Sequence, residues 1–144
     1  MLMNLMLGLI TMALCLLLQS LIFIKAISYY TGHDYLVNSP SFWSSLIVVN
    51  GVMLLLVLGN LAQIAIWAML FLWLGEFQTF GEAFYHSAVN FATLGYGDLV
   101  MSAQHRLLGP LESVNGVLMI GVTTAALTAA FQDAIRKTLQ ARNG

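Results

Sequence analysis

Three long apolar stretches constrain this chain more than anything else in it. They cover about residues 2–30, 42–74 and 107–139. A helix needs roughly 20 apolar residues to cross the hydrocarbon core of a bilayer, and each stretch exceeds that. Only 8% of the residues are charged, where a soluble domain has about a quarter. So few charges cannot cover a water-soluble surface, and the composition predicts an integral membrane protein before any motif is considered. The formal net charge is -1, so nothing points to a nucleic-acid partner. Cys15 is the single cysteine, which excludes an internal disulfide and a cysteine-built zinc site. The apolar N-terminus lacks the basic start of a signal peptide and is too long for one, so it is read as a retained helix.

The polar residues inside these stretches are few. Asn4, Gln19 and Lys25 lie in the first, Asn50, Asn60 and Gln63 in the second, and Glu112, Asn115, Gln132 and Asp133 in the third. Asn50, Asn60 and Gln63 are expected to face other helices and not lipid. Residues 31–41 carry Gly32, Asp34, Asn38 and Pro40 and read as a polar turn. Residues 76–106 are too short to cross twice. They contain Thr79-Phe80-Gly81-Glu82, the pattern of a capping box, which predicts a short helix over 80–92. Ala-Thr-Leu-Gly-Tyr-Gly-Asp follows at 92–98, with glycines where a helix would carry side chains. Irregular backbone at membrane depth is tolerated only when buried in protein or lining a water-filled path. Residues 93–97 are therefore expected to face a pore.

Arg136, Lys137 and Arg142 cluster at the C-terminal end of the third stretch, which places the C-terminus in the cytoplasm. Three crossings then put the N-terminus outside and Lys25 at the inner end of the first helix. The short helix and the segment after it enter from the outer face.

Thr93-Leu94-Gly95-Tyr96-Gly97-Asp98 resembles the potassium-channel signature, set between two spans and after a capped helix. The likeness extends over about residues 61–132. The filter mechanism of T-V-G-Y-G loops comes with that resemblance: backbone carbonyls replace the water shell of a potassium ion. It implies an all-α membrane protein of three transmembrane helices plus a re-entrant pore helix and selectivity-filter loop. The implied domains are an added N-terminal helix and cytoplasmic loop (1–41), a pore domain (42–139) and a short cytoplasmic tail (140–144). Potassium would bind at Thr93, Leu94, Gly95 and Tyr96, with Gly97 completing the filter. One loop cannot surround an ion, so a homotetramer is implied. Asp98, Tyr85 and Val89 are the implied filter support, with Tyr85 expected to donate to Asp98. Val89 stands where some bacterial members carry a glutamate, and Leu94 replaces the commoner valine. Gly116 falls at the position of a hinge glycine, with Gly121 further on. Ile120, Thr124 and Thr128 would line a cavity, one turn apart on one face.

An ionisable side chain inside a span is a functional candidate by default, so Glu112 is a possible modulatory site. The competing reading is a structural anchor to a neighbouring helix, with Asn115 as a candidate companion. Glu76, Glu82 and Asp98 against Arg106 leave an excess of acid at the outer face, which would gather cations. No cofactor is expected beyond potassium as the permeant ion. The expected partners are further copies of the chain and membrane lipid, and the expected location is a bacterial inner membrane. Two rivals remain: a weakly selective cation channel, and a non-conducting regulatory subunit. An enzyme is not expected, because no nucleophile, metal cluster or paired carboxylates are visible.

Overall fold

The computed structural model describes residues 1–143. They form five helices: α1 (Leu2–Gly32), α2 (Asp34–Val37), α3 (Phe42–Trp73), α4 (Phe80–Phe91) and α5 (Leu108–Asn143). No strand occurs among the described residues. α1, α3 and α5 are long and apolar enough to cross a membrane. At about 1.5 Å per residue each runs well past a hydrocarbon layer of about 30 Å, so they tilt or project beyond it.

The described elements depart from the sequence expectation at the end of α5 and in the turn after α1. α5 continues to Asn143, so residues 140–143 extend the helix, while Gly144 lies outside the described residues. Arg142 in its last turn complements the negative end of the helix dipole. The polar turn after α1 also contains the one-turn helix α2, held by Asn38 Nδ2 donating to Asp34 Oδ2 at 2.6 Å.

The distribution of polarity is that of a membrane protein. Asn4, Thr11, Gln19, Gln63, Glu112 and Asn115 are buried, while Leu9, Leu17, Leu54 and Val117 are exposed. Lipid tails are as apolar as leucine, so apolar burial alone does not hold helices together there. Close packing and hydrogen bonds between helices must do so.

The chain divides into two compact units. One comprises Met1–Leu18 with Asn60–Ile120, and the other Gln19–Gly59 with the chain from Gly121 onward. The first centres on Cys15, Trp67, Phe71, Ala83 and Leu108, with a smaller cluster of Ile64, Phe91 and Met119. It contains α4 and the irregular segment after it. The second has apolar clusters around Val48 and Val49 and around Val52 and Leu56. Polar pins cross its helices. Ser45 and Thr138 share a hydroxyl bond of 2.6 Å. Lys137 Nζ reaches Asp34 at 2.7 Å and Asp133 at 3.1 Å, and Tyr30 donates to Asp133 at 2.9 Å.

Candidate functional site

The capping box forms at the start of α4. The Thr79 hydroxyl accepts from the Glu82 amide, and the Thr79 amide donates to Glu82 Oε2, both at 3.2 Å. That closes two of the amides a helix start leaves open, and a cap of this kind is worth ~1 kcal/mol. The helix ends at Phe91, one residue before the expected Ala92.

Its exit is a two-bond C-terminal cap. Thr93 N–H donates to the Asn90 carbonyl and Leu94 N–H to the Val89 carbonyl, each at 2.9 Å. This Schellman arrangement normally places a glycine in the left-handed position. Here Thr93 occupies it, with φ 59°. For a β-branched residue that conformation costs about 1–2 kcal/mol. Gly95 and Gly97 follow at φ 59° and 74°, while Leu94 and Tyr96 between them are not left-handed. A regular strand sends successive carbonyls to opposite sides. Alternation of the two hands puts successive N–H groups on one side of the chain and successive carbonyls on the other. Residues 93–98 are all exposed in the single chain.

α5 supports α4 from behind. Ser113 Oγ donates to the Asn90 carbonyl at 2.8 Å. A Cβ at Gly116 would collide with the Phe91 carbonyl, so this glycine serves close backbone approach, whatever bending it also allows. Gly121 has open space around it. Glu112 is fully buried and bonded to Ser87 Oγ, which also lies 2.8 Å from the Ile64 carbonyl. Ser87 has one proton for two acceptors. The count closes if the Glu112 carboxyl brings a proton of its own. Asn115 Nδ2 donates to Gln63 at 3.4 Å, not to Glu112.

The segment after the glycines is tied down by three side chains. Tyr85 donates to Asp98 Oδ2 at 2.7 Å. The Tyr85 hydroxyl beside it holds the Asp98 carboxyl below the usual carboxylate range. His86 Nδ1 donates to the Leu99 carbonyl at 2.9 Å, and its Nε2 accepts from Asn90 Nδ2 at 2.9 Å. Burial pushes the His86 ring below its ordinary value. Glu76 accepts from the Ser102 amide at 2.6 Å, the Ser102 hydroxyl at 2.7 Å and His105 Nδ1 at 2.5 Å. Burial pushes the Glu76 carboxyl up, but the Ser102 hydroxyl, His105 and the Ser102 amide together hold it below the usual range. Its side chain is only 6% exposed, so Glu76 is a loop anchor and not a free charge at an outer mouth.

Tyr85, Val89 and Asp98 therefore gather around α4 and its exit, with Val89 buried and its carbonyl used in the cap. Ile120, Thr124 and Thr128 are exposed along one face of α5, and Thr128 Oγ1 turns back to the Thr124 carbonyl at 2.9 Å. Sequence reasoning missed the His86–Asn90 pair and the Glu76–Ser102–His105 clamp. The first has a local signal, since two polar residues four apart on a helix share a face. The second joins residues 26 and 29 positions apart and has none.

Residues 60–133, just over half of the chain, match a family model described as ion channel. No curated protein and no solved structure matches the chain.

Proposed function

The chain belongs to the ion channel family, and from that premise we propose that it is one subunit of a potassium-selective channel whose pore is formed by four copies. The observation that carries this reading is the backbone of Thr93, Gly95 and Gly97, left-handed at every second residue directly after a capped helix. That alternation supports a row of carbonyls on one side of the chain. Carbonyl dipoles can replace the hydration of a cation without a fixed charge that would trap it. Thr93 to Tyr96 would hold potassium, Gly97 would close the outer end, and Tyr85, Asp98 and Val89 would support the loop. The C-terminal end of α4 points its negative dipole at the same place, which favours a cation there. Ile120, Thr124 and Thr128 would line the cavity below. Gly116 and Gly121 would be the points where α5 can bend.

The proposed orientation puts the N-terminus outside and the C-terminus in the cytoplasm, in a bacterial inner membrane. Conduction is passive and needs neither a cofactor nor catalytic chemistry. The test is cation flux from liposomes containing only this protein. Potassium is expected to exchange freely while sodium is largely excluded. Equal flux of both ions would replace this reading with a weakly selective channel. A stable oligomer passing neither ion would replace it with a regulatory subunit.

A further inference from the structure

His86 sits in a slot that accepts one protonation state. Phe71 and Phe77 flank the ring at centroid distances of 5.6 Å and 4.9 Å. It is buried, at 8% exposure. The Leu99 carbonyl can only accept, so Nδ1 carries a proton. A neutral ring then has a bare Nε2, and Asn90 meets it with its amide N–H. The Asn90 side chain also faces Glu112 on α5. A second proton on the ring would leave two donors, Nε2 and the Asn90 amide, opposed. Relief requires Asn90 to turn its amide over, which disturbs its contact with Glu112 at the same time.

We propose that His86 is a positioning residue for conduction: its neutral Nδ1–H form fastens the chain just beyond the filter to α4 while its bare Nε2 seats the Asn90 amide, and protonation at Nε2 unseats Asn90 at the end of α4 and reduces potassium flux. This rests on the channel reading above. The neighbouring groups do not supply a substitute acceptor. From the end of α3 and the turn after it, His86 is faced by Phe71, Phe77 and the Glu76 carboxylate. From α4 it is faced by Asn90, and from the outer loop by the Leu99 carbonyl and Asp98. Asp98 and Glu76 favour the charged ring, but burial outweighs them. Both carboxylates are committed elsewhere, Asp98 to Tyr85 and Glu76 to Ser102 and His105. The transition is therefore expected below the ordinary imidazole value of roughly 6.5.

The experiment is potassium flux from liposomes with the same pH on both sides, stepped from about 8 to about 5, through the His range. The wild type is expected to conduct at the alkaline end and to lose roughly tenfold or more of its flux at the acid end, as for one dominant titration. His86→Asn keeps a donor near the Nδ1 position but cannot titrate. It is expected to conduct at the alkaline end and to stay flat with pH. His105→Asn is expected to keep the wild-type profile. If His86→Asn retains the acid loss, or His105→Asn abolishes it, the proposal is overturned. Should His86→Asn fail to fold, 15N-histidine NMR of the wild type decides. His86 must be the Nδ1–H tautomer at neutral pH, and its titration must coincide with the fall in flux. The other tautomer, or titration without change in flux, overturns the proposal. A wild type that passes no potassium even at the alkaline end sinks the channel reading itself, and the tautomer measurement still tests the His86 fastening separately.

Discussion

At the scale of single residues, Thr93 and Gly116 make opposite demands. Thr93 holds a left-handed conformation that a glycine would hold with little strain. Thr93→Gly is therefore expected to stabilise the folded chain by about 1 kcal/mol, the strain relieved less the extra freedom of glycine when unfolded. The same change removes a hydroxyl from the inner end of the proposed filter, so potassium selectivity is expected to fall while the unfolding midpoint rises. Thermal unfolding and ion flux on the same preparation check the two halves. Gly116 is the reverse case, since any side chain meets the Phe91 carbonyl and backbone. Backbone cannot step aside as a flexible side chain can. Gly116→Ala is expected to cost about 1–3 kcal/mol, as overpacking does, and to lower the yield of folded protein. A Gly116→Ala protein as stable as wild type would show that α4 and α5 approach less closely than described.

At the scale of elements, α4 and the loop after it are held from both ends. Thr79→Ala removes the hydroxyl that accepts from the Glu82 amide, leaving only the backbone bond to Glu82 Oε2, and is expected to cost ~1 kcal/mol. Hydrogen exchange should speed up first at the amides of residues 80–83, because an uncapped helix frays from its end. The Glu76 clamp gives a pH signature. Its folded-state value lies below the ordinary 4.5, so its stabilisation is present above that value and is lost as pH falls through the folded value. Glu76→Gln should lower the unfolding midpoint near neutral pH and narrow its gap from wild type in acid. A gap that stays constant through the acid range would show that the charge of Glu76 does not matter. What was legible here divides by range. The cap at Thr79 and Glu82 joins residues three positions apart, so sequence showed it directly, as it did the three spans. Tyr85 and Asp98 were legible only through the family resemblance. The left-handed Thr93 was not, because the residue at that position of a cap is usually glycine. His86 to Leu99 and Glu76 to His105 bridge chain that nothing local brings together. The last turn of α5 was not legible, because small and polar residues near its C-terminus blur the apolar pattern that marks a span.

At the scale of the whole molecule, the first helix decides whether the pore can stand alone. The family match begins at residue 60, and in sequence α1 looks like an addition to a two-span pore. The packing says otherwise. In one unit α1 places Cys15 in the central cluster, with Leu7 and Met12 against it. Its Asn4 Nδ2 donates to the Gln104 carbonyl at 2.5 Å, tying the loop that carries Ser102 and His105. In the other unit it contributes Ala26, Ile22 and Phe23 to the cluster around Leu56, and Tyr30 to Asp133. Gln19 donates to Thr123 at 3.4 Å. Removing α1 would therefore expose Trp67 and Asn115, which pack against Cys15, to lipid and deprive polar groups of partners. Apolar groups lose little by facing lipid, so the penalty comes from the polar groups and from lost packing. A chain starting after residue 32 is expected to aggregate in detergent and yield no defined oligomer by size-exclusion chromatography. Adding residues 1–32 as a separate peptide during refolding should recover some of the oligomer, since the helix binds through its face and not through the connection. If the truncated chain assembles and passes potassium as the full chain does, α1 is dispensable to the pore, and its packed face must serve something other than the stability of the channel.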